Sequence, residues 1–516
     1  MLLTASLQRG YLPREIPLAF SSDSLSKALP RLTAPKPSYP VQATRFSIAR
    51  VGGTRRSTEI PNPFAQFHVS NICAANWDKL QRITARSPVS LGRPVRRKAA
   101  YRSLVGRATQ GKTRQLETMS RIPGGRFTIK TDISQFYPSI YTHAVDWAIR
   151  GKSKAKANRR VKCLGSELDK FLRNCRDGQT VGIPIGPDTS WIVSEIILAR
   201  VDEYMAKNPS FGSWFASHAY RFGDDMTVFA KTHDQAAEIL GEYEIALARY
   251  ELSLNPLKVG ISTGIEMPEQ PWVSQLRNAR YRDDNDSNLS NDVVELFSQA
   301  FEMSRVRPDI GALSYAIKRC DPFPAGDHSW PLYRDCVLAS AVQEPSSLRH
   351  VHQVMSFAKD RGLDASDDLT CEVLNQICEE HAPLDHGFEV AWALATLQRL
   401  ELPLDASVAQ KVAAMDDNCS LILLSHEVSQ RPVSLAGVDL STLRRRAESD
   451  GALSSDDWLL AYESRARKWC SPRKWDGEPA WKELAAQKVR FLAAESSPKP
   501  KLRRRRPEFI PSWGAS

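Results

Sequence analysis

A strand, a tight acidic turn and a second strand follow one another in HAYRFGDDMTVFA, and this segment constrains the fold more than any other. Apolar and polar residues alternate on both sides of Gly223-Asp224-Asp225, which predicts a β-hairpin with two carboxylates at its tip. Neighbouring carboxylates repel each other, and a bound cation relieves that repulsion. The segment therefore predicts a metal site, with a solvated acidic turn as the alternative.

A third carboxylate ends a strand far upstream of the hairpin. In FTIKTDISQFYPSIYTH the strand ends at Asp132 and leads through a turn into a helix that begins near Ser139. The Asp132 carboxylate and the neighbouring backbone carbonyl of Ile133 are oxygen ligands of the kind that octahedral Mg²⁺ binds. An aspartate at a strand end also commonly caps a turn, so this segment is informative only together with the hairpin.

Two further segments lie before and after the hairpin. QTVGIPIGPDTSWIVSEI is a Gly/Pro loop that opens an amphipathic helix at about Thr189, and its Gly182 and Gly186 would let the backbone approach a ligand closely. ELSLNPLKVGIS places Lys258 where a cation could neutralise or protonate a pyrophosphate leaving group. The alternative for Lys258 is an exposed loop lysine.

These four segments, in this order, resemble the palm of reverse transcriptases, most strongly those of prokaryotic abortive-infection and other defence-associated (anti-phage) systems. The stretches DISQFYPSIYTH and GIPIGPDTS carry most of that resemblance. The matched positions are Asp132 with Tyr137 for the first palm motif, Gly182 to Gly186 for the second, Phe222 to Asp225 for the third, Leu254 to Lys258 for the fourth, and Glu59 to Pro63 with Gln66 for the entry to the fingers.

The resemblance implies a DNA polymerase that makes DNA on an RNA template or without a template, and that acts in anti-phage defence. Its implied catalytic residues are Asp132, Asp224 and Asp225. Together with the Ile133 carbonyl they would hold two Mg²⁺ ions, for which Mn²⁺ could substitute. The residues expected to contact the incoming dNTP are Tyr137, Gly186, Lys258 and Lys130.

Two departures from the retroviral pattern keep other functions open. Ile185 stands where most retroviral-like enzymes have Gln, and Gly223 stands where most have Ala or Val. Gly-Asp-Asp is also the signature of RNA-dependent RNA polymerases, which makes such an enzyme the main alternative. The Tyr137 ring would fill the volume that a ribose 2′-OH needs, and so favours dNTPs unless this tyrosine is a core aromatic. The third alternative is a nucleic-acid-binding scaffold without catalysis.

Positive charge is concentrated before the first palm strand. The chain has a net charge of +11, and residues 51–130 contain sixteen Lys and Arg against three acids, which is +13. Such an excess favours a phosphate-binding surface, with a solvated basic face as the alternative. We expect Arg93, Arg96 and Arg97 to contact RNA, DNA or both. Further basic runs are at 150–162 and 499–506.

The order of strand and helix signals predicts an α+β right-hand polymerase, with fingers, palm and a short thumb, followed by an all-α, α-repeat-like domain. Strand signals nearly vanish beyond about residue 285, where apolar residues recur with helical spacing. An irregular bundle is the alternative to the repeat. The predicted units are an N-terminal extension (1–50), fingers and palm (51–265), a thumb-like connection (266–300), the helical domain (301–490) and a basic flexible tail (491–516).

Composition gives weaker expectations about compartment and partners. The nine cysteines include no C-x-x-C pair, and Cys371, Cys378 and His381 lack the spacing of a zinc site. No secretory signal or stretch of transmembrane length is recognisable, so a cytoplasmic protein with no membrane partner is expected. The resemblance adds a dedicated structured non-coding RNA, a homo-oligomer or a companion defence protein as candidate partners.

Overall fold

The computed structural model describes residues 2–96, 105–107, 109, 111–282, 284–471, 475 and 477–493. The described strands form one four-stranded sheet and two hairpins. They are β1 (Thr44–Ala49), β2 (Arg55–Ile60), β3 (Pro94–Arg96), β4 (Val105–Arg107), β5 (Phe127–Thr131), β6 (Ala219–Phe222), β7 (Asp225–Ala230) and β8 (Gly260–Thr263).

Helices make up most of the rest of the described chain. Those before the last strand are α1 (Leu2–Arg9), α2 (Asp23–Ala28), α3 (Pro63–Ala75), α4 (Trp77–Thr84), α5 (Gly111–Met119), α6 (Phe136–Ser139), α7 (His143–Arg150), α8 (Lys152–Ala157), α9 (Leu164–Asn174), α10 (Asp188–Ala206), α11 (Gly212–His218) and α12 (His233–Ala248). Those after it are α13 (Pro271–Asn278), α14 (Asp286–Val306), α15 (Ala312–Arg319), α16 (Ser329–Gln343), α17 (Leu348–Arg361), α18 (Asp367–His381), α19 (Gly387–Leu400), α20 (Ala406–Ala413), α21 (Asn418–Gln430), α22 (Ser441–Glu448), α23 (Trp458–Arg467) and α24 (Pro479–Ala486). Short 3-10 turns lie at Leu29–Arg31, Val51–Gly53, Pro345–Ser347, Ala382–Leu384 and Ala452–Ser454.

The four-stranded sheet has the order β6-β7-β5-β8 and is antiparallel throughout. One face is apolar: Ile129 pairs with Val228 across β5 and β7, and both are buried against Ile196 of α10 and Ile239 of α12. Side chains alternate along a strand, so the residues next to these buried ones point to the opposite face. The helices therefore support the sheet from one side, and the other side carries Lys130 together with a small buried cluster of Tyr220, Phe222 and Phe229.

The β1–β2 hairpin joins the N-terminal region to the sheet-bearing region. The Glu59 backbone N–H donates to the Ile185 carbonyl oxygen at 2.7 Å, and the Thr58 hydroxyl donates to the same oxygen at 2.6 Å. The boundary predicted at residue 50 falls inside this hairpin. The predicted boundary at residue 50 thus divides the β1–β2 hairpin, which is one structural unit.

The N-terminal residues are packed into the core of the helical region. Tyr11 is fully buried, donates from its hydroxyl to the Pro61 carbonyl oxygen at 2.6 Å, and lies edge-on to the Phe491 ring. Trp458 of α23 donates from Nε1 to the Ile60 carbonyl oxygen at 3.1 Å. Residues from both ends of the chain therefore share one hydrophobic core, which explains why the first fifty residues show little periodicity of their own.

The region after β8 is all-helical in its described part. α19 is buried along nearly its whole length and contacts α17, α18, α21 and β1. The predicted boundary at residue 300 falls within α14, so the expected thumb-like segment comprises α13 and most of that helix. Among the described residues, no helix combines the length and the apolar character needed to cross a bilayer.

Candidate active site

The register of the sheet brings Asp132 next to Asp225. Thr131 of β5 pairs with Met226 of β7, so the residues that follow and precede them, Asp132 and Asp225, meet at the end of the sheet. Phe222 pairs with Asp225, and Gly223, at φ +65°, begins the turn between them. A positive φ favours glycine, and the turn presents Asp224 and Asp225 beside Asp132.

The ionised states of Asp224 and Asp225 are disfavoured at this site. Partial burial, together with the negative charges of Asp224 and Asp132, raises the pKa of Asp225 to about 7. Burial also raises the pKa of Asp224, with Asp132 adding to the effect and Arg56 and Lys258 opposing it. Oxygen ligands that repel each other in this way are the donor set that a hard divalent cation neutralises.

Asn255 and Lys258 hold Asp132 from the loop that precedes β8. The Asn255 side-chain amide donates to Asp132 Oδ2 at 3.0 Å, and its backbone N–H donates to the Asp132 carbonyl oxygen at 2.8 Å. Nζ of Lys258 lies 3.5 Å from Asp132 Oδ2. No role was predicted for Asn255 from the sequence, although it lies within the segment matched to the fourth motif.

A buried ion network holds the turn from behind. Arg221 is 0% exposed; its guanidinium donates to Glu195 and Asp202 at 2.7 to 3.2 Å and to the Gly223 carbonyl oxygen at 2.7 Å. The Ser87 hydroxyl donates to Asp202 at 2.6 Å. Burial raises the pKa of Asp202, and Arg221 opposes that rise.

This network was not predicted from the sequence. A charged residue within the alternating strand AYRF was the available signal, because a residue that points toward the supporting helices needs partners there.

The reverse transcriptase (RNA-dependent DNA polymerase) family matches residues 62–284. The chain carries a reverse-transcriptase domain. It is thus an enzyme of the nucleotidyltransferase class, an RNA-directed DNA polymerase. All three aspartates, the turn and the Arg221 network lie within the matched residues, whereas β1, β2 and the helices from α14 onward lie outside them.

Other comparisons give little beyond the family. The structure of apo telomerase from Candida tropicalis is similar to this chain over 76% of each chain, with 11% sequence identity and a TM-score of 0.34. A comparison with curated proteins found no match. The predicted fold class is confirmed: a reverse-transcriptase domain is followed by an all-α region.

Tyr137 lies beside the acidic turn of the reverse-transcriptase domain. Its carbonyl oxygen accepts from the Ile183 backbone N–H at 3.1 Å. Burial raises the pKa of its phenol to about 12; the hydrogen bond with Ser194 opposes the rise, and the negative charge of Asp224 adds to it. The ring is therefore fixed between the Gly/Pro loop and α10, close to the carboxylates.

The two loop glycines are close to protein atoms rather than open to a ligand. A Cβ on Gly186 would lie 2.7 Å from Pro13 Cγ and 2.8 Å from Thr58 Oγ1, and one on Gly182 would lie 2.7 Å from an Arg176 nitrogen. Both positions require glycine because other groups come close to its backbone, as expected. Those groups, however, belong to this chain and not to a ligand. Direct nucleotide contact by the Gly186 backbone stays a prediction.

Lys130 is exposed near the site, whereas Ile133 is buried. Lys130 lies on β5 and forms an ion pair with Glu266. Ile133 is 1% exposed, bridges to Leu254, and directly follows Asp132 in the chain. The helix expected from about Ser139 is a short helix that ends there, α6, followed by α7.

Several arginines surround the site. Arg50 is half-buried, and its pKa is lowered by burial and by Arg56, while Asp132 opposes that shift. Arg114 lies with its guanidinium carbon 3.7 Å from the centre of the Phe222 ring, next to the acidic turn. Arg50 and Arg56, which lie near each other and near the three carboxylates, suit a phosphate-bearing ligand. From the sequence, Arg56 and Arg114 were recognised only as part of the basic segment.

The predicted nucleic-acid contacts are at the β3–β4 hairpin. Arg96 of β3 is exposed and Arg93 is half-buried just before it. Arg97 lies outside the described residues, as does the basic run at 499–506. Within the run at 150–162, Lys154, Arg159 and Arg160 are exposed.

Reverse-transcriptase domains use divalent metal ions, and the site fits such a group. Its candidate ligands are all oxygens, from the carboxylates of Asp132, Asp224 and Asp225 and the backbone of Ile133. The raised pKa of Asp224 and Asp225 shows that positive charge is favoured between them. Lys258 lies 3.5 Å from Asp132, and its charge also acts on Asp224 and Asp225.

Proposed function

We propose that this reverse-transcriptase domain extends DNA by a two-metal reaction, using Mg²⁺ or, as a substitute, Mn²⁺, and that it does so in prokaryotic anti-phage defence. The observation that carries the catalytic part is the convergence of Asp132, Asp224 and Asp225 at one end of the sheet, within reach of Lys258 and Arg56. The defence role is supported by the sequence resemblance of the palm segments.

The bound ions would supply Lewis-acid stabilisation of the attacking 3′-oxygen and of the departing pyrophosphate. Asp132 and Asp224 bind them, and Asp225 adjusts the charge at the site. Lys258 lies where it can neutralise or protonate the leaving group. Arg50 and Arg56 supply further positive charge on the β1–β2 side. Because the groups are held in place before reaction, positioning and charge neutralisation provide most of the rate.

Tyr137 gives the site its sugar preference in this proposal. Its ring lies beside Asp224, and its phenol forms a hydrogen bond with Ser194 of α10. A ribose 2′-OH would need the volume that the ring fills, so the substrates are dNTPs. The template is RNA, or none is used. A structured non-coding RNA, a second copy of the chain or a companion defence protein are the partners proposed with it, in the cytoplasm.

The catalytic proposal is tested with Asp224→Asn, which removes one charge from the metal site and keeps its shape. We expect loss of nucleotide incorporation by at least about a hundredfold with an unchanged far-UV spectrum. Asp234→Asn, an exposed aspartate in the first turn of α12, is the matched control and should retain activity. Full incorporation by a folded Asp224→Asn/Asp225→Asn double variant would overturn the two-metal proposal.

The same preparations distinguish the remaining functions. Preferred incorporation of rNTPs with Mg²⁺ would favour an RNA polymerase, which the Gly223-Asp224-Asp225 signature keeps as the second candidate. Sequencing of co-purifying nucleic acid would identify template, primer and product together. For the defence role, phages that the wild-type chain restricts are plated on cells that carry Asp224→Asn. We expect the variant to restrict them less. Equal plating on wild-type and variant cells would separate defence from polymerisation.

A further inference from the structure

Two imidazoles and a carboxylate meet in the helical region, outside the reverse-transcriptase match. His381 is the last residue of α18, His386 directly precedes α19, and Glu389 lies in the first turn of α19. The 3-10 turn Ala382–Leu384 and the left-handed conformation of Asp385, at φ +52°, reverse the chain between the two histidines. The segment HAPLDHGFE thus folds back so that all three side chains face one another.

The potential ligand atoms are closely grouped. Nδ1 of His381 and Nδ1 of His386 are 2.9 Å apart, and Oε1 of Glu389 lies 4.0 Å and 3.8 Å from them. Bonds of about 2.0–2.2 Å from zinc to nitrogen and oxygen place tetrahedral ligands roughly 3.4 Å apart. The observed distances lie on both sides of that value, so small side-chain rotations bring all three atoms onto one ion.

The contact between the two imidazoles suits a pair of metal ligands. Their Nδ1 atoms are 2.9 Å apart, which requires a lone pair on at least one of them. Glu389 is almost fully buried, at 3% side-chain exposure.

Arg55 of β2 holds the carboxylate from the other side. Its two terminal nitrogens donate to the two Glu389 oxygens at 2.7 Å and 2.8 Å. Each carboxylate oxygen has a second lone pair, so Oε1 can accept from Arg55 and still bind an ion. Hydrogen bonds to ligating carboxylates are a usual feature of metal sites, and they fix the orientation of the ligand.

We propose that His381, His386 and Glu389 bind one transition-metal ion of the zinc type, with solvent as the fourth ligand. Two imidazoles and one carboxylate favour Zn²⁺ over Mg²⁺, which prefers oxygen ligands. The histidine side chains are 19% and 24% exposed, which leaves room for water.

The ion ties the end of α18 to the start of α19. Through Arg55 it also stabilises the contact between the helical region and the β1–β2 hairpin. Arg56, the next residue of that hairpin, is near the catalytic carboxylates.

The test uses the full chain, stripped of metal with a chelator and returned to a buffer with excess Mg²⁺ to occupy the catalytic carboxylates. Zn²⁺ binding is measured by calorimetry, and Co²⁺ binding by its visible absorption. We expect one site per chain and a raised melting temperature on Zn²⁺ addition. The Co²⁺ spectrum should lack thiolate charge-transfer bands, because cysteine is not among the ligands.

His381→Ala and His386→Ala should each weaken Zn²⁺ binding by more than about tenfold and abolish the melting-temperature shift. His328→Ala removes an exposed imidazole elsewhere in the helical region and should change neither. His386→Gln is measured in parallel, with circular dichroism, in case the alanine variant does not fold. Absence of a site in the wild type, unchanged affinity in the folded variants, or thiolate bands with Co²⁺ would each overturn the proposal.

Discussion

Arg221 donates a hydrogen bond from Nη1 to the Gly223 carbonyl oxygen at 2.7 Å, so a fully buried cation holds the residue that precedes Asp224. The same guanidinium is bound by Glu195 and Asp202. Two carboxylates on one helix thus fix one strand end, and through it the position of the acidic turn. In the proposed reaction Arg221 would act only through the backbone of Gly223, as a positioning residue.

Arg221→Lys should weaken the metal site as well as the fold. Lysine keeps the charge but cannot bridge both carboxylates and the carbonyl, and breaking such a buried pair costs about 3 kcal/mol of unfolding free energy. We expect a higher Mg²⁺ concentration at half-maximal activity, measured below the melting temperature. Arg200→Lys, on the outer side of α10, should leave the Mg²⁺ dependence unchanged. A loss of stability with an unaltered Mg²⁺ curve would reduce Arg221 to a structural role.

Asp225 gives the metal-free protein a pH-dependent stability. Its pKa is about 7 in the folded chain against an ordinary 3.8, so between these values the folded state binds more protons than the unfolded state. Stability from this group is fully present below pH 4 and is lost as the pH rises through 7. In a chelating buffer, Asp225→Asn should therefore stabilise the fold at pH 8 by on the order of 2 kcal/mol, allowing for partial exposure, and have little effect at pH 4.

Denaturant titrations at the two pH values measure this difference. Asp234→Asn serves as the control, because that carboxylate is exposed. Equal effects of Asp225→Asn at pH 4 and pH 8 would show that repulsion among the carboxylates does not destabilise the fold.

Tyr137→Val should relax the choice of sugar. Removing the ring opens the volume beside Asp224, so the preference for dNTPs over rNTPs, taken as the ratio of kcat/KM values, should fall by at least about tenfold. Use of dNTPs should persist at reduced efficiency. Tyr141→Val, which removes an aromatic ring that packs on Trp147, is the comparison variant. If the wild type already prefers rNTPs with Mg²⁺, Tyr137 is not a gate against the 2′-OH.

The palm could be predicted from the sequence because each of its motifs is a short continuous segment. Alternation around Gly223 and the strand that ends at Asp132 suffice to place the carboxylates, since strand register follows from which face is buried. Arg221 was missed because its partners, Glu195 and Asp202, are on a helix whose orientation only the folded sheet defines. The close neighbours of Gly186 could not be predicted either, because Pro13 and Thr58 are far away in sequence.

The N-terminal region could not be predicted for a similar reason. Tyr11 packs on Phe491, and Ser24 donates from its hydroxyl to the Arg490 carbonyl oxygen at 2.9 Å, across more than 460 positions. Residues 2–50 contribute short segments to a core that the helical region completes. Such segments carry no clear period of their own, because their apolar residues face partners from several directions.

Arg50 and Arg56 should affect nucleotide binding more than the chemical step. Both belong to the β1–β2 hairpin, and the charge of Arg56 acts on Asp224 and Tyr137. Contact with the triphosphate predicts that Arg56→Gln raises the KM for dNTP about tenfold, the effect of losing roughly 1.4 kcal/mol, with a smaller change in kcat. Arg45→Gln, an exposed residue of β1, is the control. A fall in kcat at constant KM would place Arg56 at the reacting atoms instead.

The basic segment at 51–130 should bind nucleic acid through phosphates, with affinity that falls steeply with salt and depends little on base sequence. Removal of one cation that touches a phosphate flattens the slope of log K against log salt by roughly 0.7 to 0.9. Arg93 and Arg96 are accessible at the β3–β4 hairpin. The double variant Arg93→Gln/Arg96→Gln should therefore weaken binding to single-stranded RNA and DNA and lower the slope by about 1.4 to 1.8 if both touch phosphates.

Fluorescence anisotropy across a salt series measures affinity and slope together, and Arg159→Gln/Arg160→Gln is the matched variant in the second basic run. Weaker binding at an unchanged slope would mean that Arg93 and Arg96 act through packing or base recognition. A flatter slope only in the Arg159/Arg160 variant would move the phosphate-binding surface to residues 150–162, which include α8. Because both variants remove two charges, their comparison separates a specific interaction from a general decrease in positive potential.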